Sequence, residues 1–214
     1  MQVLKVFAGE LHSIVPIGCL SLLNVMGLMP LSKTKCLASD AIFYLPILRQ
    51  VAAWAGLVPA TKKKFIKYLE AGYSCIVIPG GIHEKFIWSM ILRSVLIPCH
   101  VQDLDISETL SSFVVYLKKR HGFVCVAMET GHPLVPVFCF CFGQFLVNNF
   151  PRTHIPYCRP MHVIVRRPIE LKRNPNPSDE EVAKVHATFV SKLEQLFQRH
   201  KVAAGYVDIK LKDI

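Results

Sequence analysis

Two short stretches of the sequence carry residue types that could do chemistry. The first, GELHSIVPIG (residues 9–18), places His12 between Glu10 and Ser13, where an uncharged run from Ser13 to Ser32 begins. A neutral imidazole accepts a proton near physiological pH, so a histidine beside an apolar stretch suits a base acting on a greasy substrate. The bland alternative is a core histidine whose ring is satisfied by hydrogen bonds. The second stretch, PGGIHE (residues 79–84), pairs Gly80 with Gly81 and ends at Glu84. Adjacent glycines let backbone N–H groups approach an oxyanion or a phosphate, although a tight turn uses them equally well. Glu84 gains chemical meaning only if it points at His12. The nine histidines show no HExxH spacing and the eight cysteines no CxxC pair, so no metal is expected.

Both stretches follow predicted strands, and the surrounding elements alternate. Val3 to Phe7 reads as a first strand and Lys35 to Ser39 as a second. Pro46 opens a helix that Gly56 closes. Thr61 caps a helix whose Phe65, Ile66 and Leu69 share one face before Gly72 ends it. Cys75 to Ile78 is a continuous apolar run stopped by Pro79, as in a strand buried on both faces. Helical periodicity returns in SETLSSFVVYLKKR and GFVCVAMETG, while Leu134–Phe140 and Met161–Val165 read as further buried strands. Ser178 and Glu181 form a capping box, and Val182, Val185, Phe189, Leu193 and Leu196 then trace one stripe toward His200. Tyr206 to Leu211 reads as a closing strand. The alternation predicts one α/β domain over residues 1–214, with a mainly parallel central sheet flanked by helices. In such sheets ligands gather where strands end and helices begin.

Composition narrows the partners. The chain has 214 residues, 52% of them hydrophobic, with 25 Lys plus Arg against 15 Asp plus Glu, for a net charge of +10; its mean hydropathy is +0.37. A basic, apolar chain suits nucleic acid, an anionic membrane surface or a phosphate-bearing ligand. The basic groups are scattered and no aromatic residues alternate with them, which argues against nucleic acid. Nearly all the cysteines sit in apolar runs, as buried reduced thiols do, so a reducing compartment is expected. Ser13 to Ser32 is long enough to span a bilayer, but Pro16, Gly18, Asn24, Gly27 and Pro30 interrupt it, favouring a buried or partly inserted segment.

Several stretches, taken in order, resemble the type-2 diacylglycerol acyltransferases, particularly the plant members. They are ELHSIVPIG, LASDAIFYLPILRQVAAWAGLVPAT, LEAGYSCIVIPGGIHE, HGFVCVAMETGHPLVPVFCF, and CRPMHVIVRRPIEL leading into SDEEVAKVHATFVSKLEQLFQRHK. The resemblance implies a glycerolphosphate-acyltransferase-like fold and an enzyme that moves a fatty acyl group from acyl-CoA onto diacylglycerol, forming triacylglycerol. Acyl-CoA is then a co-substrate, with no cofactor. It further implies the endoplasmic reticulum membrane, with a cytosolic catalytic face, or a lipid-droplet surface; a homo-oligomer stays open. The family's histidine block falls on Glu10, Leu11, His12 and Ser13, making His12 the catalytic base. Its glycine block with a following glutamate falls on Gly80, Gly81 and Glu84. Glu10, Ser13, Gly80, Gly81, Arg120, Gly122 and Phe123 are implied in substrate binding. Glycerol-phosphate acyltransferases orient the histidine with an aspartate five residues on. Ile17 stands there in this chain, so the carboxylate must come from elsewhere: Glu84, with Glu10 as the alternative.

The chain also departs from the family's pattern. Leu11 replaces a proline, and Cys125 stands where relatives usually carry arginine or lysine in the Gly-Phe-x-basic block. Residues 86–116 are atypical, an aromatic and basic segment after Gln144 is missing, and the family's N-terminal membrane hairpin is expected to be absent. Two readings therefore stand beside the enzyme: a catalytically dead, membrane-associated or regulatory variant, and a monoacylglycerol or wax-alcohol acyltransferase.

Overall fold

A computed structural model describes residues 4–10, 22–23, 33–79, 112–115, 120–140, 162–205 and 210–213. Its centre is a six-stranded sheet built from β1 (Val6–Glu10), β2 (Thr34–Ala38), β3 (Leu57–Pro59), β4 (Ser74–Val77), β6 (Leu134–Phe140) and β7 (His162–Val165). The spatial order is β3-β2-β4-β1-β6-β7, and every pairing is parallel except β6 with β7. The helices are α1 (Ala41–Tyr44), α2 (Pro46–Trp54), α3 (Lys62–Glu70), α4 (Gly122–Thr130) and α5 (Asp179–His200). The fold is therefore α/β with a mainly parallel sheet.

Strand side chains alternate between two cores. Val6, Ala8, Cys75, Leu134 and Phe138 face the larger one, beneath α3, α4 and α5. Phe7, Cys36, Ile76, Val135 and Val137 face the smaller, where Leu22 and Leu23 pack on them. Both faces of β1, β4 and β6 are thus covered, which explains their nearly unbroken apolar sequences. The larger core is rich in aromatic contacts: Phe138 lies 4.6 Å from Phe140 and 5.2 Å from Phe197, centroid to centroid, and Phe123 meets Phe189 at 5.2 Å.

The local signals act as their chemistry dictates. Thr61 accepts a hydrogen bond from the Lys64 N–H, and Ser178 and Glu181 form both arms of a capping box on α5. On α5 the buried residues Val182, His186, Phe189, Leu193, Leu196 and Phe197 recur at three- and four-residue steps, which keeps them on one face. Burial pushes the Cys75 thiol up to about 12, so it packs as a small apolar group. On α2, by contrast, Ile47 and Trp54 are 81% and 77% exposed, with Tyr44 beside them at 84%. No helix among the described residues is long and apolar enough to cross a membrane.

Four expectations are corrected. The first strand runs Val6–Glu10 rather than Val3–Phe7, because its pairing with β6 continues to Glu10 opposite Phe138. Within SETLSSFVVYLKKR, Ser112–Val115 is a strand, β5, and not a helix. Phe113, Val114 and Val115 are aromatic or β-branched, and a distant partner offers a ladder. That partner is β8 (Lys210–Asp213), which forms a separate two-stranded parallel sheet with β5 instead of closing the main one. Finally, β7 is a partly exposed antiparallel edge strand, with Val165 44% exposed, rather than a buried one. The helix expected after Pro16 and the segment Ser13–Ser32 lie, apart from Leu22 and Leu23, outside the described residues.

Gly131 ends α4 in the left-handed region at φ +70°, and a Cβ there would sit 2.7 Å from the Arg173 Cβ. Gly131→Ala combines a left-handed penalty of about 1–2 kcal/mol with this clash. Denaturant unfolding should show a stability loss of at least that size, whereas Gly72→Ala, at φ +84° with nothing near its Cβ, should lose only the backbone share.

Candidate functional site

The strands that precede the two chemical stretches are neighbours. β1 pairs with β4 in parallel register, Ala8 opposite Val77, so Glu10 and Pro79 are the last described residues at the same carboxyl edge. The described parts of the connections that leave these strands lie on opposite faces of the sheet. Leu22 and Leu23, between β1 and β2, pack into the smaller core; α4, between β4 and β6, packs into the larger one. Adjacent parallel strands whose connections part in this way open a crevice at their carboxyl ends, the place where α/β sheets gather ligands.

Next to that edge lies a cavity of about 430 Å³. Val77, Ile78 and Pro79 bring the exit of β4 to it, while Arg120, His121, Gly122 and Phe123 bring the start of α4. Thr61 and Lys62, at the start of α3, close a third side. Two nine-residue helices therefore point their amino ends into one hollow. The first-turn N–H groups of each helix lack intrahelical acceptors and carry partial positive charge. Arg120 adds a full charge, is exposed, and makes no ion pair or hydrogen bond with the described residues. Phe123 is buried and gives the hollow an apolar wall. The arrangement suits a ligand with an anionic end and an apolar body.

A three-residue contact ties the two helices together below this hollow. Lys62 Nζ lies 2.6 Å from Glu129 Oε1, and the Cys125 thiol donates to the same oxygen at 3.2 Å. Lys62, hydrogen-bonded to Glu129, holds the carboxyl below the usual carboxylate range, and Glu129 raises the Lys62 ammonium in turn. Partial burial, followed by the bond to Glu129, raises the Cys125 thiol, so it is a protonated donor rather than a nucleophile. Cys125 is the position where the family pattern has a basic residue. The cation beside Glu129 arrives here from α3.

Of the expected site residues, Arg120, Gly122 and Phe123 come together with Pro79 at one cavity. His12, Ser13, Gly80, Gly81 and Glu84, and the side chain of Glu10, lie outside the described residues. The sequence reading did not single out Lys62, His121 or Glu129. Lys62 adjoins Lys63 and Lys64 in the sequence, and only the long-range packing of α3 on α4 separates it from them.

The fold is α/β with a cationic, apolar-walled cavity beside the carboxyl edge of its sheet, and comparison with known proteins gives the class. A family model for diacylglycerol acyltransferase matches residues 4–150 and 141–212. The chain belongs to that family. It is 26% identical over 205 residues to diacylglycerol O-acyltransferase 1 of Eremothecium gossypii, covering 79% of this chain and 40% of the relative. It is 27% identical to the bovine diacylglycerol O-acyltransferase 2-like protein 6, covering 78% and 55%, and 28% identical to human acyl-CoA wax alcohol acyltransferase 2, covering 79% and 56%. The chain thus spans about half the length of the curated relatives it matches. Among solved structures, the 1-acyl-sn-glycerophosphate acyltransferase PlsC of Thermotoga maritima aligns over 92% of this chain and 67% of that one, at 16% identity and a TM-score of 0.49.

The Glu129 contact has a pH signature. Its folded pKa lies below the unfolded value near 4.5, so its stabilisation is fully present above that value and fades as pH falls through the folded pKa. The raised Lys62 pKa places the opposite limb above 10.5, where stabilisation is lost as pH rises. Glu129→Gln should lower the Tm slightly between pH 5 and 9. That gap should close in strong acid; an equal gap in strong acid sinks the assignment.

Proposed function

We propose that this chain is an acyl-CoA-dependent acyltransferase that esterifies the free hydroxyl of diacylglycerol to give triacylglycerol, with His12 as the base. The observation that carries the reading is the parallel pairing of β1 with β4 beside a cationic, apolar-walled cavity. His12 follows the last described residue of β1 by two positions, and Gly80 and Gly81 follow Pro79 directly. Covalent length alone keeps His12 within about 8 Å of Glu10, and Gly80 and Gly81 within about 8 Å of Pro79, and neighbouring strands lie about 5 Å apart.

In this reading the neutral ring of His12 removes the acceptor's hydroxyl proton as the oxygen attacks the thioester carbon. The tetrahedral oxyanion is met by backbone N–H groups at Gly80 and Gly81. The carbon–sulfur bond then breaks, and the departing thiolate takes the proton from the imidazolium. No acyl-enzyme forms. Glu84, or else Glu10, bonds the second ring nitrogen, fixing the tautomer and balancing the charge. Arg120 and the helix starts at Gly122 and Thr61 receive the phosphates of CoA, and Phe123 lines the path of the acyl chain.

The relatives named for diacylglycerol and for wax alcohols leave the acceptor to be chosen. We take diacylglycerol, on the ordered plant-like stretches of the sequence. Work at a lipid surface, at the endoplasmic reticulum or a lipid droplet, follows from a substrate of that kind.

The test is expression in cells lacking neutral-lipid synthesis, with triacylglycerol and wax ester scored separately. Triacylglycerol should accumulate, and His12→Ala should lower its rate of formation 10²- to 10⁴-fold, roughly the range of general-base contributions. Undiminished triacylglycerol from a folded His12→Ala chain would falsify the base assignment; wax ester in its place would change the acceptor. Arg120→Ala should raise the KM for acyl-CoA with a smaller change in kcat.

A further inference from the structure

We propose a second anion site, separate from the carboxyl-edge crevice: a cleft of about 490 Å³ between the exit of edge strand β7 and the last turns of α5, shaped for a phosphate ester. Four permanent cations and a histidine line it: Arg166 and Arg167 from the strand exit, Lys192 and Arg199 with His200 from the helix. Among the described residues no carboxylate lines it, and none is shared with the cavity beside β4.

The convergence is not accounted for by the general charge of the chain. A helix dipole favours cations in the last turn, which covers Arg199 and His200. It does not cover Lys192, two turns earlier, or the two arginines that arrive from another element. Glu194, an acidic residue of the same helix stretch, sits about 200° around the helix from Lys192 and so projects away from the cleft. Like charges held this close repel one another unless an anion joins them.

Arg166 is also fixed in place. Its Nη1 donates to the Lys192 carbonyl at 2.7 Å and its Nη2 to Gln195 Oε1 at 2.9 Å. Of a guanidinium's five N–H donors, the other three stay available. The fork is thus oriented in advance, the condition under which arginine recognises phosphate well. Ile164, Val165 and Leu196 make up the apolar part of the lining. A ligand filling the cleft therefore has a phosphate at one end and carbon at the other, as a phospholipid headgroup or a small soluble phosphate ester does.

The experiment uses the full chain and two probes, glycerol 3-phosphate by titration calorimetry and phosphatidylcholine vesicles with or without phosphatidate by co-sedimentation. Arg167→Glu/Arg199→Glu tests the cleft and leaves the anchoring Arg166 intact. Lys33→Glu/Lys67→Glu, both exposed and outside both cavities, makes the same change in net charge elsewhere. Binding of either probe should weaken roughly 10- to 30-fold in the cleft variant, as expected for losing two surface cations from a phosphate contact. It should change less than about twofold in the control. Binding of phosphatidate vesicles alone identifies a lipid headgroup; binding of glycerol 3-phosphate identifies a soluble ester, and either supports the site. Equal losses in both variants, full binding by the cleft variant, or no binding of either probe by the parent chain overturns it. If the double charge reversal does not fold, as judged by circular dichroism, Arg167→Gln/Arg199→Gln serves instead, with a smaller but still selective loss.

Discussion

The parallel contact between β1 and β4 is the constraint on which the rest of the site depends. Antiparallel neighbours would send the chain out at opposite edges; parallel ones send it out at the same edge. Because crossovers are right-handed, the segment leaving β1 toward β2 and the segment leaving β4 toward β6 must cover opposite faces. Leu22 and Leu23 on one face and α4 on the other are that rule made visible. A gap at the carboxyl edge then follows from topology, before any side chain is considered.

Packing holds this gap in position. The larger core pins α4 through Phe123, Val124 and Ala127, and α5 through Phe189 and Phe197. Each buried aromatic or aliphatic side chain stabilises the fold by about 1.5–3 kcal/mol relative to exposure. The starts of α3 and α4 are thereby fixed where β4 ends, and their dipoles meet in one place. The smaller core is thinner among the described residues, with Leu22 and Leu23 its only buried side chains from outside the sheet.

Local signals made much of this legible from sequence. The proline and glycine around α2, the threonine and glycine around α3, and the capping box of α5 each act within a few residues, and each operates as read. The apolar run of β6 was legible because every one of its side chains is buried. What escaped was set by partners far along the chain. β5 became a strand because β8, nearly a hundred residues later, lies beside it. β7 became an exposed edge because, among the described residues, no strand follows it in the sheet. At the site, the grouping of Arg120, Gly122 and Phe123 could be anticipated from family resemblance, but their meeting with Pro79 and Thr61 is a product of the fold.

The Cys125 position shows why a motif must be read in three dimensions. Within α4, Cys125 and Glu129 are four residues apart and so face each other, which makes position 125 a natural place for a cation that balances the glutamate. The chain puts a cysteine there and keeps Glu129. A half-buried carboxylate left without a cation would draw its pKa upward and weaken the helix pair. Lys62 prevents this from the neighbouring helix, at a shorter range than most surface ion pairs. In this chain the balancing charge therefore comes from α3 and acts at the joint between α3 and α4. An intrahelical pair steadies one helix; this one fastens the start of α3 to the last turn of α4.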